Sequence, residues 1–113
     1  MKIGFIGLGN VGGKLASSLL RNKFDVTVRD LDSGLVEQFK KLGAKSAETP
    51  KELAEKVELI ITCLPSPVIC SEVMEGSNGV IEGLSENKIW LEMSTTDEHE
   101  VKRIGDKIKK LKA

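Results

Sequence analysis

The chain has 113 residues, enough for one domain with a core of its own. Its 17 basic and 17 acidic residues cancel, so no net field draws it to nucleic acid or to an anionic membrane. No apolar run approaches the length that spans a bilayer, no stretch reads as a signal peptide, and the single His99 rules out a multi-histidine metal site. One tryptophan, three phenylalanines and no tyrosine give no stacking platform for bases. Cys63 and Cys70 do not form a C-x-x-C pair. They read as reduced thiols of a cytoplasmic protein, with a single bridge as the alternative.

The chain begins MKIGFIGLGNVGGK: an apolar strand, then G-x-G-x-x-G, then the first turn of an apolar-striped helix. Each glycine has its own mechanical job. Gly7 lets the chain leave the strand in a tight turn, Gly9 lets a pyrophosphate approach the backbone, and Gly12 lets the helix pack close to the strand. The candidate cofactor loop is therefore Gly7-Leu8-Gly9-Asn10-Val11-Gly12, with phosphates on the N–H groups at the positive end of the helix. Val11, Leu15, Leu19 and Leu20 form that helix's apolar stripe, which closes near Asn22. The second strand, Phe24–Asp30, alternates Phe24, Val26 and Val28 and ends on Asp30. That acid lies close to the ~20-residue spacing of the group that holds the adenosine ribose. A carboxylate there accepts from both ribose hydroxyls and repels a 2′-phosphate, so NAD is expected over NADP. A cap on the next helix is the competing role, though Asp32 and Ser33 are better placed for it. Arg29 is able to hold a 2′-phosphate, but the period-2 rule turns it to the face opposite Asp30.

Leu35, Val36, Phe39 and Leu42 form a second helix ended by Gly43, and an extended piece near Lys45–Ala47 supplies a third strand. Thr49-Pro50-Lys51-Glu52 is a helix start with an N-cap, a first-turn proline and a capping box. Val57–Leu64 is almost continuously apolar, as a strand buried on both faces should be. Ser66-Pro67 opens a helix to about Glu75, broken at 76–79, and Ile89–Met93 is the fifth strand. A last helix starts around Thr95–Asp97, with Val101, Ile104, Ile108 and Leu111 on one face. Its acids lie first and its lysines last, which suits the helix dipole. The alternation predicts a single α/β domain over 1–113: a Rossmann-type, doubly wound parallel sheet of about five strands in the order 3-2-1-4-5, with helices on both faces.

Several motifs then fit one family together: GFIGLGNVG at 4–12, the strand ending in Asp30, Leu64-Pro65, GSNGV at 76–80 and MST at 93–95. The chain resembles the NAD-binding domain of the β-hydroxyacid dehydrogenases, the group that contains 3-hydroxyisobutyrate dehydrogenase and is related to 6-phosphogluconate dehydrogenase. The resemblance implies that Leu64 and Pro65 line the ribose and nicotinamide side of the cofactor. It also implies that Thr95 contacts the cofactor and that Ser94 holds the substrate carboxylate. Helix capping is the other reading of Thr95, since Thr95 and Glu98 have capping-box spacing. Glu92 stands where the family usually has Asp, Ile69 where some members have a cofactor-side asparagine, and Val11 where Met is usual.

The implied activity is NAD(P)-dependent oxidation of a small 3-hydroxy acid, or reduction of the semialdehyde. The family's lysine acid/base belongs to an all-helical second domain. No lysine here stands in its Gly-x-x-Gly-x-x-x-Lys context, so no catalytic residue is assigned, and the 113 residues are expected to be the cofactor half, inactive alone. With no sixth strand, the fifth is expected to offer an edge for self-association. A self-contained dinucleotide-sensing or scaffold module is the competing function. The pyrroline-carboxylate reductases share a similar first half, but the MST and Leu64-Pro65 segments fit them less well.

Overall fold

The computed structural model describes residues 1–64, 66–85, 87–93 and 98–110, and only the backbone at 10, 11, 67, 98–101 and 110. The elements run β1 (Lys2–Ile6), α1 (Asn10–Arg21), β2 (Asp25–Arg29), α2 (Ser33–Lys41), β3 (Lys45–Ser46), α3 (Pro50–Lys56), β4 (Leu59–Thr62), α4 (Pro67–Glu75), α5 (Val80–Gly83), β5 (Ile89–Glu92) and α6 (Glu98–Lys110). All strand pairs are parallel, in the order β3-β2-β1-β4-β5. The chain reverses its direction of travel across the sheet between β1 and β4, and in such sheets ligands bind in the crevice at the strands' carboxyl ends there. In register, Ile6 lies between Arg29 and Thr62 at that edge.

Side-chain alternation sorts the core into two layers. Ile3, Phe5, Val26, Val28 and Ile61 pack on one face with Leu8 and Ala16 of the first crossover and Phe39 of α2. Ile6 and Ile60 pack on the other with Leu53, Val57, Met74, Val80, Ile104 and Ile108. Gly4 belongs to this second face, where a Cβ would fall 2.3 Å from Leu53 Cδ2. Of the apolar face expected for the last helix, Ile104 and Ile108 are buried. Leu111 lies outside the described residues, as does the expected start of that helix at 95–97.

Caps fix where the helices begin. Asp32 accepts from the N–H groups of Gly34 and Leu35 at α2, and Ser66 accepts from Ile69 at α4. Thr49 accepts from Glu52 N–H at 3.1 Å, but Glu52 returns to Glu48 N–H at 3.3 Å, one residue earlier than an ideal capping box.

Two expectations change. Phe24 is outside the strand and 44% exposed. Lys23 turns left-handed at φ 65°, and Phe24 N–H bonds back to Leu19 carbonyl, so Phe24 belongs to the turn that ends α1. The sequence reading also lacked α5, whose four residues are too few to show a period. It is held by Gly79 N–H donating to Glu82 and by Gly83, where a Cβ would fall 2.3 Å from Lys51 carbonyl oxygen.

Candidate functional site

The site begins where β1 ends. Gly7 has φ +101°, and its N–H donates to Arg29 carbonyl at 3.1 Å, tying the turn to the end of β2. A Cβ on Gly7 would fall 2.1 Å from Cys63 carbonyl oxygen, and one on Gly12 would fall 2.0 Å from Gly7 carbonyl oxygen. Both positions are closed to any side chain. Gly9 differs: nothing lies within 4 Å of its Cβ direction. It is the N-cap of α1 in an extended conformation, offers no capping side chain, and is followed by no acid in the first turn. The first N–H groups of α1 therefore keep their hydrogen-bonding capacity and positive dipole end for an anion. The backbone of Asn10 and Val11 forms this first turn, while their side chains lie outside what is described.

Asp30 holds the second corner. One carboxylate oxygen accepts from Leu8 N–H at 2.7 Å and the other from Asp32 N–H at 2.8 Å. The half-buried side chain thus bridges the glycine turn and the β2–α2 loop, while Asp32 does the helix capping. Each oxygen keeps a further lone pair for a hydroxyl donor.

These groups line a cleft of about 870 Å³ at the carboxyl edge of the sheet, within the range of about 300–1,000 Å³ for small-molecule sites. Ile6, Gly7, Gly9 and Gly12 form its floor with Cys63 and Leu64. Arg29, Asp30, Leu31, Asp32 and Leu35 form one wall. Ile69, Glu72 and Val73 form the other, and Pro50 and Met93 complete the lining. Leu64, expected on the cofactor side, is in the floor. Pro65, Ser94 and Thr95 lie outside the described residues.

The placement of Arg29 corrects the sequence reading. Its register with Ile6 puts it on the α3 face, opposite Val28, as alternation requires. The cleft, however, wraps over the strand ends, so Arg29 and Asp30 both line it. Alternation along a strand does not separate residues where the strand stops.

The rest of the wall was only partly legible. Ile69 was singled out, but Glu72 and Val73 join it at helical spacing, a signal that was available. Leu31, 89% exposed, has no sequence signature that separates it from any loop leucine.

A polar cluster fastens β5 to its neighbours. Trp90 Nε1 donates to Thr62 Oγ1 at 2.9 Å, and Thr62 Oγ1 donates to Glu92 Oε2 at 2.8 Å. The same carboxylate oxygen accepts from Cys70 Sγ at 3.1 Å. Glu92 thereby ties β5 to β4 and to α4. Burial first, and then the charge of Glu92, push the Cys63 thiol up, so it faces the cleft as neutral S–H. Both cysteines are free thiols. No described helix is long and apolar enough to cross a membrane, and among the described residues no group of acidic, His and Cys side chains is placed to hold a metal ion.

Residues 2–113 match the family described as the NAD binding domain of 6-phosphogluconate dehydrogenase. The mitochondrial 3-hydroxyisobutyrate dehydrogenase of Mus musculus is 33% identical over 111 residues, which are 98% of this chain and 33% of that protein. The 3-sulfolactaldehyde reductase of Escherichia coli (strain K12) is 40% identical over 93 residues, 82% of this chain and 31% of that protein. The chain thus spans about a third of the curated relatives it matches. Among solved structures, an imine reductase from Myxococcus stipitatus in complex with NADP+ superposes with a TM-score of 0.88 at 17% identity, covering 99% of this chain and 38% of that one. At that identity the likeness speaks for the fold.

Proposed function

Because the chain belongs to the family of the NAD-binding domain of 6-phosphogluconate dehydrogenase, we propose that its cleft holds the dinucleotide of an oxidoreductase that acts on a small 3-hydroxy acid or its semialdehyde. The observation that carries this reading is the open position at Gly9. It is the one glycine of the motif with space at its Cβ direction, and it faces the uncapped start of α1.

Gly9 and the first N–H groups of α1 receive the pyrophosphate, and Asp30 accepts from the adenosine ribose hydroxyls while staying bonded to Leu8 and Asp32. Leu64 in the floor and Ile69 and Val73 in the wall exclude water. Nicotinamide, when bound, supplies the hydride acceptor or donor. Pro65 and Thr95 support the cofactor and Ser94 takes the substrate carboxylate, roles that come from the family resemblance. NAD is the preferred cofactor, since the acid at position 30 favours free ribose hydroxyls over a phosphate. The compartment is the cytoplasm, and the chain self-associates through β5.

The 113 residues bind cofactor without turning over substrate. Alcohol oxidation requires a base within hydrogen-bond reach of the hydroxyl, and no lysine of this sequence stands in the family's catalytic context. Incubating the chain with NAD and a panel of small 3-hydroxy acids, 3-hydroxyisobutyrate included, tests this, with cofactor binding followed in parallel by equilibrium dialysis. Bound NAD without NADH is expected. Robust NADH would place the base within these residues, and absence of bound NAD would remove the proposal altogether.

A further inference from the structure

Resting on the dinucleotide reading above, we propose that Glu72 sorts the two redox forms of the cofactor, attracting the cationic nicotinamide of NAD+ and not the neutral ring of NADH. That reading assigns one wall of the cleft and leaves the other. Asp30 on the β2 side takes the adenosine ribose and the turn at Gly9 takes the pyrophosphate. The nicotinamide half therefore runs across β1 towards β4 and the α4 wall. On that wall Ile69, Glu72 and Val73 stand at positions i, i+3 and i+4 of α4, so one face of the helix is turned to the cleft.

Glu72 is the charged side chain of this wall. It is exposed, and its carboxylate forms no hydrogen bond or ion pair with any described residue. Arg103 and Lys107, the basic side chains of α6 that reach α4, go to Glu75 instead. Among the described residues of the cleft the basic side chain is Arg29, on the opposite wall, and Cys63 in the floor is a neutral thiol. The negative charge of Glu72 thus stays uncompensated by these residues and acts on what enters the cleft. NAD+ and NADH differ by one positive charge on the nicotinamide ring and little in shape, so such a charge separates them by Coulomb attraction. By linkage, a cleft that binds NAD+ more tightly draws the bound couple towards its oxidised form by the same factor.

The test is calorimetric titration of the 113-residue chain with NAD+, NADH and ADP-ribose, for the wild type, Glu72→Gln and Glu72→Lys. ADP-ribose carries the pyrophosphate and both riboses but no nicotinamide, so it reports the fold and the rest of the site. Glu72→Gln should lose about threefold in affinity for NAD+, the scale of one solvent-exposed charge pair, with NADH and ADP-ribose unchanged. Glu72→Lys reverses the charge and should shift the NAD+ to NADH affinity ratio by about tenfold, a contrast that added salt shrinks. Equal losses for all three ligands, as a ribose contact or a structural role would give, would overturn the assignment while leaving the dinucleotide site standing. So would an unchanged NAD+ to NADH ratio in both variants. Failure of the wild type to bind any of the three ligands would remove both.

Discussion

Three glycines within six residues fall into two kinds, two closed to any side chain and one open, and an added side chain tells them apart. At Gly7 an L residue meets a φ of +101° and the Cys63 carbonyl. Gly7→Ala is therefore expected to destabilise the fold by about 2–3 kcal/mol, from strain in a sparsely populated backbone region plus an enforced shift. Gly12→Ala meets Gly7 carbonyl oxygen and should behave alike. Thermal or urea unfolding of both variants measures this, and a change within ±0.5 kcal/mol at Gly7 would show that the turn tolerates a side chain. Asp30→Asn separates structure from binding in another way. The amide keeps one acceptor oxygen for two backbone donors, so about 1 kcal/mol of stability should go with the lost bond. The NAD/NADP affinity ratio should narrow by about tenfold. An unchanged ratio would take Asp30 out of cofactor choice.

At the scale of elements, α4 and α6 are clamped by charge. Glu75, near the end of α4, accepts from Ser71 at 3.1 Å, from Arg103 Nη1 at 2.8 Å and from Lys107. Arg103 above all, with help from Lys107 and Ser71 against the cost of burial, holds its carboxyl down at about 2. A carboxyl held below its unfolded value stabilises the fold above about pH 4.5, and that contribution fades as pH falls towards 2. Arg103 and Lys107 are 43% and 51% exposed, so solvent screening limits the clamp to about 1 kcal/mol. Glu75→Gln should lower stability at pH 7 and converge on the wild type as the pH drops through that window. A constant gap from pH 7 to 3 would contradict the clamp.

Long-range contacts of this kind were not legible in the sequence. What was legible is what local chemistry decides: the caps at Thr49 and Ser66, the buried β4 and the glycine turn. Phe24 misled because the strand pattern continued into a turn whose start at Lys23 has no residue signature. Arg29 misled because a rule for positions within a strand was applied across its end. Pro65, Ser94 and Thr95 lie outside the described residues, so their part of the site still rests on the resemblance.

At the scale of the whole molecule, the sheet presents β5 as its outer strand. Ile89 and Met93 N–H groups turn inward to Glu58 and Thr62 carbonyls, so the amides of Trp90 and Glu92 point to the edge. On one face Ile89, Leu91 and Met93 are 55%, 43% and 45% exposed. The nearby Lys88 does not guard that edge, because its ammonium donates to Ala54 and Glu55 carbonyls at the end of α3. Such an edge pairs with its like. Sedimentation over a range of concentrations should show self-association that Leu91→Lys reduces. A clean monomer at high concentration would contradict this.

The central claim, that the cleft over the glycine turn is a dinucleotide site, is tested most directly at Gly9. Calorimetric titration with NAD should give saturable, one-to-one binding to the wild type. Gly9→Val, whose side chain enters open space, should keep the wild-type unfolding transition and lose at least about tenfold in affinity, because the branched side chain occupies the approach of the pyrophosphate. Undiminished NAD binding by a folded Gly9→Val chain would contradict the account.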